Sequence, residues 1–407
     1  MKKYDVIIIG GCASGLAAAI NAHRIYPELS VAVIEKLPRV GKKILATGNG
    51  RCNLSNEQAE KFVYHIYTND GFAAKVLKKC SVKNTLVFFS SLGLKTYTDG
   101  EGRIYPLSNT AASVLDALRA HLDGIDIITG VAVNEIKKQK SGFVLNGEYR
   151  CEKLIMAAGG KASPSQGSDG SGYALAGGLG HTVTKLYPAL VPLTADPAVT
   201  KPLKGVRIHK AKIGLYKNEE LIGSSYGEIL FTDGGISGIA AMETASAFEK
   251  NKEKGADIYA SIDLVPEIDD IGVFLAALCR ENKRDFDALL TGLMPKAAGI
   301  AVLKACGLYS ASKSIDELKK KDIENIVNTI HNFRIKVTGT KGFTNAQVTS
   351  GGVSVKEINP ATMESRVCEN LFFAGEIIDV DGPCGGFNLQ WAWSSGLIAG
   401  RLGGNGK

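Results

Sequence analysis

No run of eighteen apolar residues occurs in this chain, so no membrane-spanning helix is expected. The Met1-Lys2-Lys3 start imitates a signal segment, but the apolar run after it ends at Gly10 and reads as a strand. None of the eight cysteines (Cys12, Cys52, Cys80, Cys151, Cys279, Cys306, Cys368, Cys384) forms a C-x-x-C pair, and their spacing fits no zinc pattern. No metal site is therefore expected, and the thiols read as reduced, in a cytoplasmic protein. A basic patch interleaved with aromatics is also lacking. The net charge of +7 is scattered, which argues against nucleic-acid and membrane partners and suits at most an anionic ligand. No acid–base constellation stands out either. The six histidines (His23, His65, His121, His181, His209, His331) fall in helices, loops and an insert, and read as structural or exposed. The sequence leaves the oligomeric state open.

Glycine, by contrast, is abundant, with 47 residues in 407, as expected where backbone approaches a ligand closely. The first cluster organises the chain. Tyr4–Ile9 is a short β-branched run that reads as a buried strand. Gly10, Gly11, Cys12, Ala13, Ser14 and Gly15 turn the chain into an alanine-rich helix, Leu16–Arg24. Val31–Glu35 is a second buried strand that ends in an acid. Together they form the βαβ unit that binds the ADP half of a dinucleotide. Gly10 allows the tight turn, Gly15 lets helix and sheet pack closely, and the helix N-terminus offers amides to a pyrophosphate. Glu35, twenty residues after Gly15, is placed to accept from ribose hydroxyls. Cys12 stands where G-x-G-x-x-G has its middle glycine, so strain or a small displacement of the phosphate is expected there.

Further along, Gly41–Ser55 shows no periodicity and reads as a long functional loop. Helices are expected over 70–93 and 109–122, the latter burying Val114, Leu115 and Leu118. Strands are expected over 102–106, 125–129, 132–137 and 154–158, with a hairpin turn at Asn146-Gly147 after Phe143–Leu145. Gly167–Gly172 imitates a second fingerprint, but no strand leads into it, so its serines and aspartate read as caps for a helix from Tyr173. Short strands at 206–208, 212–216, 228–231 and 257–265 suggest a β-rich insert. A helical stretch follows at 267–331, with 314–328 burying Ile315, Leu318, Ile323, Ile326 and Val327, and then a strand at 333–338. The strand expected over 370–376 and a glycine loop over 379–390, feeding a helix from Leu389, return to the nucleotide-binding style.

At this point Gly41–Asn53 (GKKILATGNGRCN) resembles a signature of a bacterial FAD flavoprotein family of NAD(P)/FAD-dependent oxidoreductases. Its members include 3-dehydro-bile acid Δ4,6-reductase (BaiN-like) and an aminoacetone oxidase. The resemblance extends to Phe231–Gly238, Val348–Ser354 and Phe373–Gln390, and covers essentially the whole chain. It implies an α/β fold: a discontinuous, Rossmann-like two-dinucleotide-binding FAD domain (1–188 and 346–407). A β-barrel-like insert (189–266, with a return strand at 332–345) and a helical cap (267–331) would interrupt it.

Carried over by position, Gly10, Cys12, Ala13, Ser14 and Gly15 would meet the pyrophosphate, and Glu35 and Lys36 the adenosine ribose. Lys42, Thr47, Gly48, Arg51, Cys52 and Asn53 would line the flavin and pyrophosphate side. Val133, in a Val-x-x-Ile strand, would read adenine through its backbone, with Ala158 and Gly159 ending a strand beneath the pyrophosphate. Gly375 and Glu376 would approach the ribityl phosphate, and Gly386, Phe387, Asn388, Leu389 and Gln390 would start a helix aimed at the flavin ring. Tyr105 is a candidate proton donor, while Cys52 and Cys384 read as small packing residues in flavin-facing loops.

The activity implied is FAD-dependent oxidoreduction of a small organic molecule. Its specific form is reduction of an enone C=C, of a steroid or bile-acid-like compound, by hydride from flavin N5. An amine oxidase using O2 is the alternative, and a flavin-containing RNA-modifying or binding protein a third reading. No second dinucleotide fold is legible over 190–335, so reduction would require transient docking of NAD(P)H or another electron donor.

Overall fold

The computed structural model describes residues 1–66, 71–253, 255–281, 285–309 and 315–404. They form two units, Met1–Tyr187 with Gln347–Lys407, and Pro188–Ala346. Among the described residues no helix is long and apolar enough to cross a membrane, and no disulfide occurs.

The first unit is built on a largely parallel sheet. Lys2–Ile9 lies between Val31–Glu35 and Tyr149–Met156, and Val31–Glu35 pairs outward with Ile125–Thr129. Val6–Ile9, Val31–Ile34 and Leu154–Met156 are buried on both faces, which is why they read as unbroken apolar runs. Tyr149–Met156 has two partners end to end on its other edge. Gly142–Leu145 runs antiparallel along its first half, and Leu371–Phe373 parallel along its second. Ile136–Gln139 pairs antiparallel outside Gly142–Leu145. The registers Ile9 with Ile34 and Met156, Glu35 with Thr129, and Phe373 with Met156 end all five parallel strands at one edge.

Two helices pack on this sheet with almost no side chain between backbones. A Cβ on Gly15 would lie 1.8 Å from Gly10 O, so the helix Ala13–Ile25 rests directly on the turn from the first strand. The helix Phe387–Ala399 rests on that one in turn: a Cβ on Gly396 would meet Ser14 O at 2.4 Å, and on Gly400 would meet Ala18 O at 2.5 Å. Both contacts advance by four residues, so the helices run parallel. Asn21 Nδ2 donates to Leu397 O (2.6 Å) across the same seam. All residues of the last helix except Asn388 and Leu389 are buried, and its indoles are satisfied by Gly375 O (Trp391, 3.1 Å) and Leu54 O (Trp393, 3.0 Å).

The second unit carries a closed six-stranded barrel, in the order Leu193–Ala195, Gly235–Ser237, Glu220–Thr232, Arg207–Lys217, Ile258–Asp263, Phe333–Thr340. Ile213, Leu215, Ile229, Phe231, Ala260, Ile262, Phe333 and Ile335 fill it. The short strands expected at 206–208 and 212–216 are one long strand. It turns through Asn218 and Glu219, both at positive φ, into a second strand longer than the expected 228–231. Helices Ile271–Glu281, Lys296–Ala305 and Lys320–His331 follow the barrel's fifth strand.

Several expectations need correction. Gly41–Ser55 is not structureless: Lys42–Ala46 is a helical turn pinned by buried Ile44, followed by a 3-10 turn, Thr47–Gly50, with Gly48 and Asn49 left-handed. The 70–93 helix is two, Phe72–Lys79 and Val82–Ser91, divided by a Ser81/Asn84 capping box; its first residue lies outside the described residues. The 109–122 helix is shorter, Ala111–Arg119, because Thr110 caps it. No strand covers 132–135, because Asn146 intercepts the backbone: its Oδ1 accepts from Asn134 and Glu135, and its Nδ2 donates to Ala132 O. The strand expected over 154–158 begins at Tyr149 and ends at Met156. Gly170, not a serine or aspartate, caps the helix Ser171–Gly178, though Asp169 accepts from the Ser171 amide. The last strand is only Leu371–Phe373, because Gly375 at φ +79° turns the chain, and the last helix starts at Phe387. Of the 314–328 helix, Ser314 lies outside the described residues and the helix begins at Lys320; Ile315 and Ile326 are buried together with Ile330, while Leu318, Ile323 and Val327 are half-buried.

The seam gives a direct prediction. Gly15→Ala should cost about 3 kcal/mol in urea unfolding, because Gly10 O cannot move without breaking the turn. Gly177→Ala, whose Cβ would meet nothing within 4 Å, should be neutral or slightly stabilising. An unchanged midpoint for Gly15→Ala would contradict the packing.

Candidate functional site

The site is the strand-end edge of the parallel sheet. Gly10 has φ +103°, and a Cβ there would come within 2.3 Å of Ala157 O, so only glycine fits. Glu35 closes the neighbouring strand, 8% exposed. Its Oε2 accepts from the Gly11 amide and its Oε1 from the Leu37 amide, both at 2.8 Å. Each oxygen keeps a second lone pair, so the acid is both fixed and able to accept a hydroxyl. The chain at 130–131 donates to Leu37 O and Glu35 O, which brings buried Val133 to the same corner, in irregular backbone and not in a strand.

Cys12 takes the cap position of the first helix at φ −114°, ψ −154°, ordinary extended backbone, so the expected strain is absent. Burial pushes its thiol up, away from reactivity. The helix has no side-chain cap and no acid in its first turn, and the same holds for the last helix, capped by Gly386 at φ +98°. Both N-termini keep their positive dipole ends available to a ligand. Ser14 meets Gly396 one residue into the first helix but nine into the last. At about 1.5 Å per residue, the last helix reaches about 12 Å beyond the first.

The cations at this edge are largely engaged. Lys36 pairs with Asp169 at 2.6 Å. Burial works against the Asp169 carboxylate, but Lys36 and Ser171 hold it down at about 2. Lys42 Nζ donates to Ser165 O. Lys43, which the sequence reading passed over, is central. Its ammonium reaches Glu376 Oε2 (2.8 Å), Ala162 O (3.2 Å) and Ser168 Oγ (3.4 Å). Glu376 Oε1 accepts from the Thr349 amide, and Thr349 Oγ1 accepts from the Lys161 and Ala162 amides. Three loops are thereby tied around Gly159 and Gly160, where a Cβ on Gly160 would strike Thr349 Oγ1 and Glu376 Oε1. Ala158 leaves the sheet beside them, half-buried. Gly375 has no room for a Cβ against Ser14 Oγ, and the Ser14 hydroxyl donates to Ala374 O.

The 47–53 segment lies against the start of the last helix. Thr47 Oγ1 donates to Ile44 O, and Gly48 at φ +55° stacks on Asn53. Asn53, in the amide orientation that satisfies both ends, donates to Ser55 O and accepts from the Gly386 amide at 3.2 Å. Cys52 is fully buried, its thiol pushed up to about 11 by burial. Arg51 lies over the Tyr105 ring at 4.7 Å, and Tyr105 stacks on Tyr97. Tyr105 is only 3% exposed, and burial raises its phenol further, so the expected proton donor is packed beneath a guanidinium. Asn388 pins the glycine loop through Gly382 and Pro383. Phe387 is buried and Leu389 half-buried. Gln390 faces inward, fully buried, its amide committed to Ser55, Thr85 and Ser394. Its side chain braces the core, and only its backbone belongs to the helix start.

With this geometry in hand, the family can be assigned. The model of the HI0933-like protein Rossmann domain matches residues 4–402. The chain belongs to this FAD-binding family. It is an FAD-dependent oxidoreductase, and two helix N-termini without side-chain caps, staggered by about 12 Å along their axes, fit a ligand with a pyrophosphate at one point and a redox ring at another. The chain is 40% identical, over 97% of both chains, to 3-dehydro-bile acid delta(4,6)-reductase of Clostridium scindens. It is 29% identical to the ribosomal RNA dihydrouridine synthase of Escherichia coli, over 97% of this chain and 96% of that one. Its fold is that of 3-ketosteroid delta1-dehydrogenase from Sterolibacterium denitrificans, with a TM-score of 0.53 at 13% identity, over 98% of this chain and 99% of that one.

The Lys43–Glu376 pair should be tested by a double-mutant cycle. Each side chain is about one-fifth exposed. Lys43→Met or Glu376→Gln alone should cost about 3 kcal/mol and weaken FAD uptake, measured by quenching of flavin fluorescence. The double variant should recover much of the loss. Additive losses would contradict a direct pairing.

Proposed function

We propose that this chain reduces a carbon–carbon double bond conjugated to a carbonyl, with a steroid-like or bile-acid-like acid as substrate. The observation that carries this is the 40% identity, end to end, with a reductase named for such a compound. Bound FAD supplies the hydride, from N5 of its reduced ring. The chain's own residues hold and polarise it. Amides of Cys12–Gly15 would receive the pyrophosphate, and Glu35 a ribose hydroxyl. The amides opening the last helix would favour negative charge at the ring edge, and Lys43 and Glu376 would keep the loops closed around the middle. NAD(P)H docks transiently as electron donor, and the chain, with its cysteines as reduced thiols, works in the cytoplasm.

A second reading has its own support. Two relatives, 29% and 28% identical over 97% of this chain, are named ribosomal RNA dihydrouridine synthase. Forming dihydrouridine also saturates a double bond conjugated to a carbonyl, so the reaction class is shared and only the carrier of the double bond differs. The expectation of no nucleic-acid partner has no support from these relatives. The higher identity favours the steroid-like acid.

Anaerobic stopped-flow separates the readings. NADPH or NADH should bleach the flavin absorbance, and a 3-oxo-4-ene cholanoic acid should restore it within seconds. Restoration by unmodified ribosomal RNA alone would favour the second reading. Bleaching by aminoacetone followed by rapid recovery in air would mark an oxidase. Failure of both nicotinamides to bleach the flavin would overturn the proposed donor.

A further inference from the structure

Saturating an enone takes two hydrogens by different routes. A hydride adds to the β carbon, the π pair moves toward the carbonyl, and a proton must then reach the α carbon. Tyr105 is packed beneath Arg51, which favours another donor. The histidines carry no site signal in the sequence, but the fold places one of them at the mouth of the last helix.

His65 and Asp381 are 316 residues apart in the chain. They form a two-way backbone bridge, His65 N–H to Asp381 O at 2.8 Å and Asp381 N–H to His65 O at 3.1 Å. Within this frame His65 Nδ1 lies 3.1 Å from Asp381 Oδ2. The imidazole is half exposed, whereas the carboxylate is 4% exposed. The other carboxylate oxygen, Oδ1, is shut away from solvent and has no hydrogen-bond partner among the described residues. A buried carboxylate left half-satisfied is costly unless its charge is used.

The location is equally specific. Asp381 precedes the Gly382–Gly386 loop that Asn388 pins, and this loop feeds the last helix, which has no side-chain cap. The Phe62 ring contacts both the His65 imidazole (6.2 Å) and the ring of Phe387, the first residue of that helix (5.1 Å). Tyr64 anchors the same segment by donating to Phe387 O at 3.1 Å. An imidazole with a carboxylate on Nδ1 is held in one orientation and can carry a transferable proton on Nε2.

We infer that His65 is the proton donor to the substrate α carbon, with Asp381 as its positioning residue. This rests on the enone reading above. The hydride and its electron pair come from the reduced cofactor, the proton comes from His65 Nε2, and solvent restores it through the exposed edge of the ring.

The test uses the FAD-loaded protein, photoreduced without oxygen, so that no nicotinamide is needed. It is mixed either with a 3-oxo-4-ene cholanoic acid or with ferricyanide, which takes electrons without a proton to carbon. H65Q should slow reoxidation by the enone at least about 100-fold, and D381N about tenfold, with ferricyanide rates and FAD uptake unchanged. Equal enone rates in wild type and H65Q would overturn the inference. So would parallel losses with ferricyanide, which would mark a structural role. A wild-type protein inert to the enone but reactive with ferricyanide would sink the enone reading itself, a distinct outcome. A readout without turnover completes the test: diethyl pyrocarbonate should label His65 in the oxidised protein, and the saturated 3-oxo acid should slow that labelling. Labelling indifferent to saturating ligand would also overturn the inference.

Discussion

Direct contact between backbones is the constraint on which the first unit depends. The turn after the first strand, the first helix and the last helix touch through Gly15 and Gly396 without intervening side chains. Chain segments more than 370 residues apart are therefore locked in one register, reinforced by Asn21 on Leu397 O. The parallel direction of the two helices and their stagger follow from the same contacts. One helix end stands at the sheet edge and the other about 12 Å beyond it. This stagger suits a cofactor longer than a single nucleotide.

The electrostatics follow a similar economy. Glu35, Lys36, Lys42, Lys43 and Glu376 all have protein partners, so most charge at the edge shapes loops and does not stand open to a ligand. What remains for an anionic cofactor is oriented amide dipoles, which need no reorganisation when the ligand arrives. The thiols at 12 and 52, the first half-buried and the second buried, fit this picture as small residues with raised pKa. The chemistry of proton transfer is then left to groups near the last helix, where His65 alone of the six histidines is bridged to the glycine loop.

Local features of the site were legible in the sequence. The strand–turn–helix–strand unit with Glu35 is encoded within thirty-five residues, and each part has a short-range cause. The strand ends at Ile9 and Glu35 are where the apolar runs stop. Features that depend on distant partners were not legible. Lys43 gains meaning only from Glu376 and Thr349, more than 300 residues away. Gln390 looks like a helix-start ligand until Ser55 and Thr85 are found beside it. Val133 sits in a β-prone stretch that one asparagine side chain diverts. His65 and Asp381 carry no motif spacing, because a tertiary bridge makes the pair.

One cofactor is proposed to span the two staggered helix ends. A crystal structure of the FAD-loaded protein tests it most directly. The pyrophosphate should lie on the amides of Cys12–Gly15 and the pyrimidine edge of the flavin on the amides that open the last helix, at Phe387–Leu389. A flavin ring bound away from the last helix, or a pyrophosphate held by lysine side chains and not by the first helix, would contradict it.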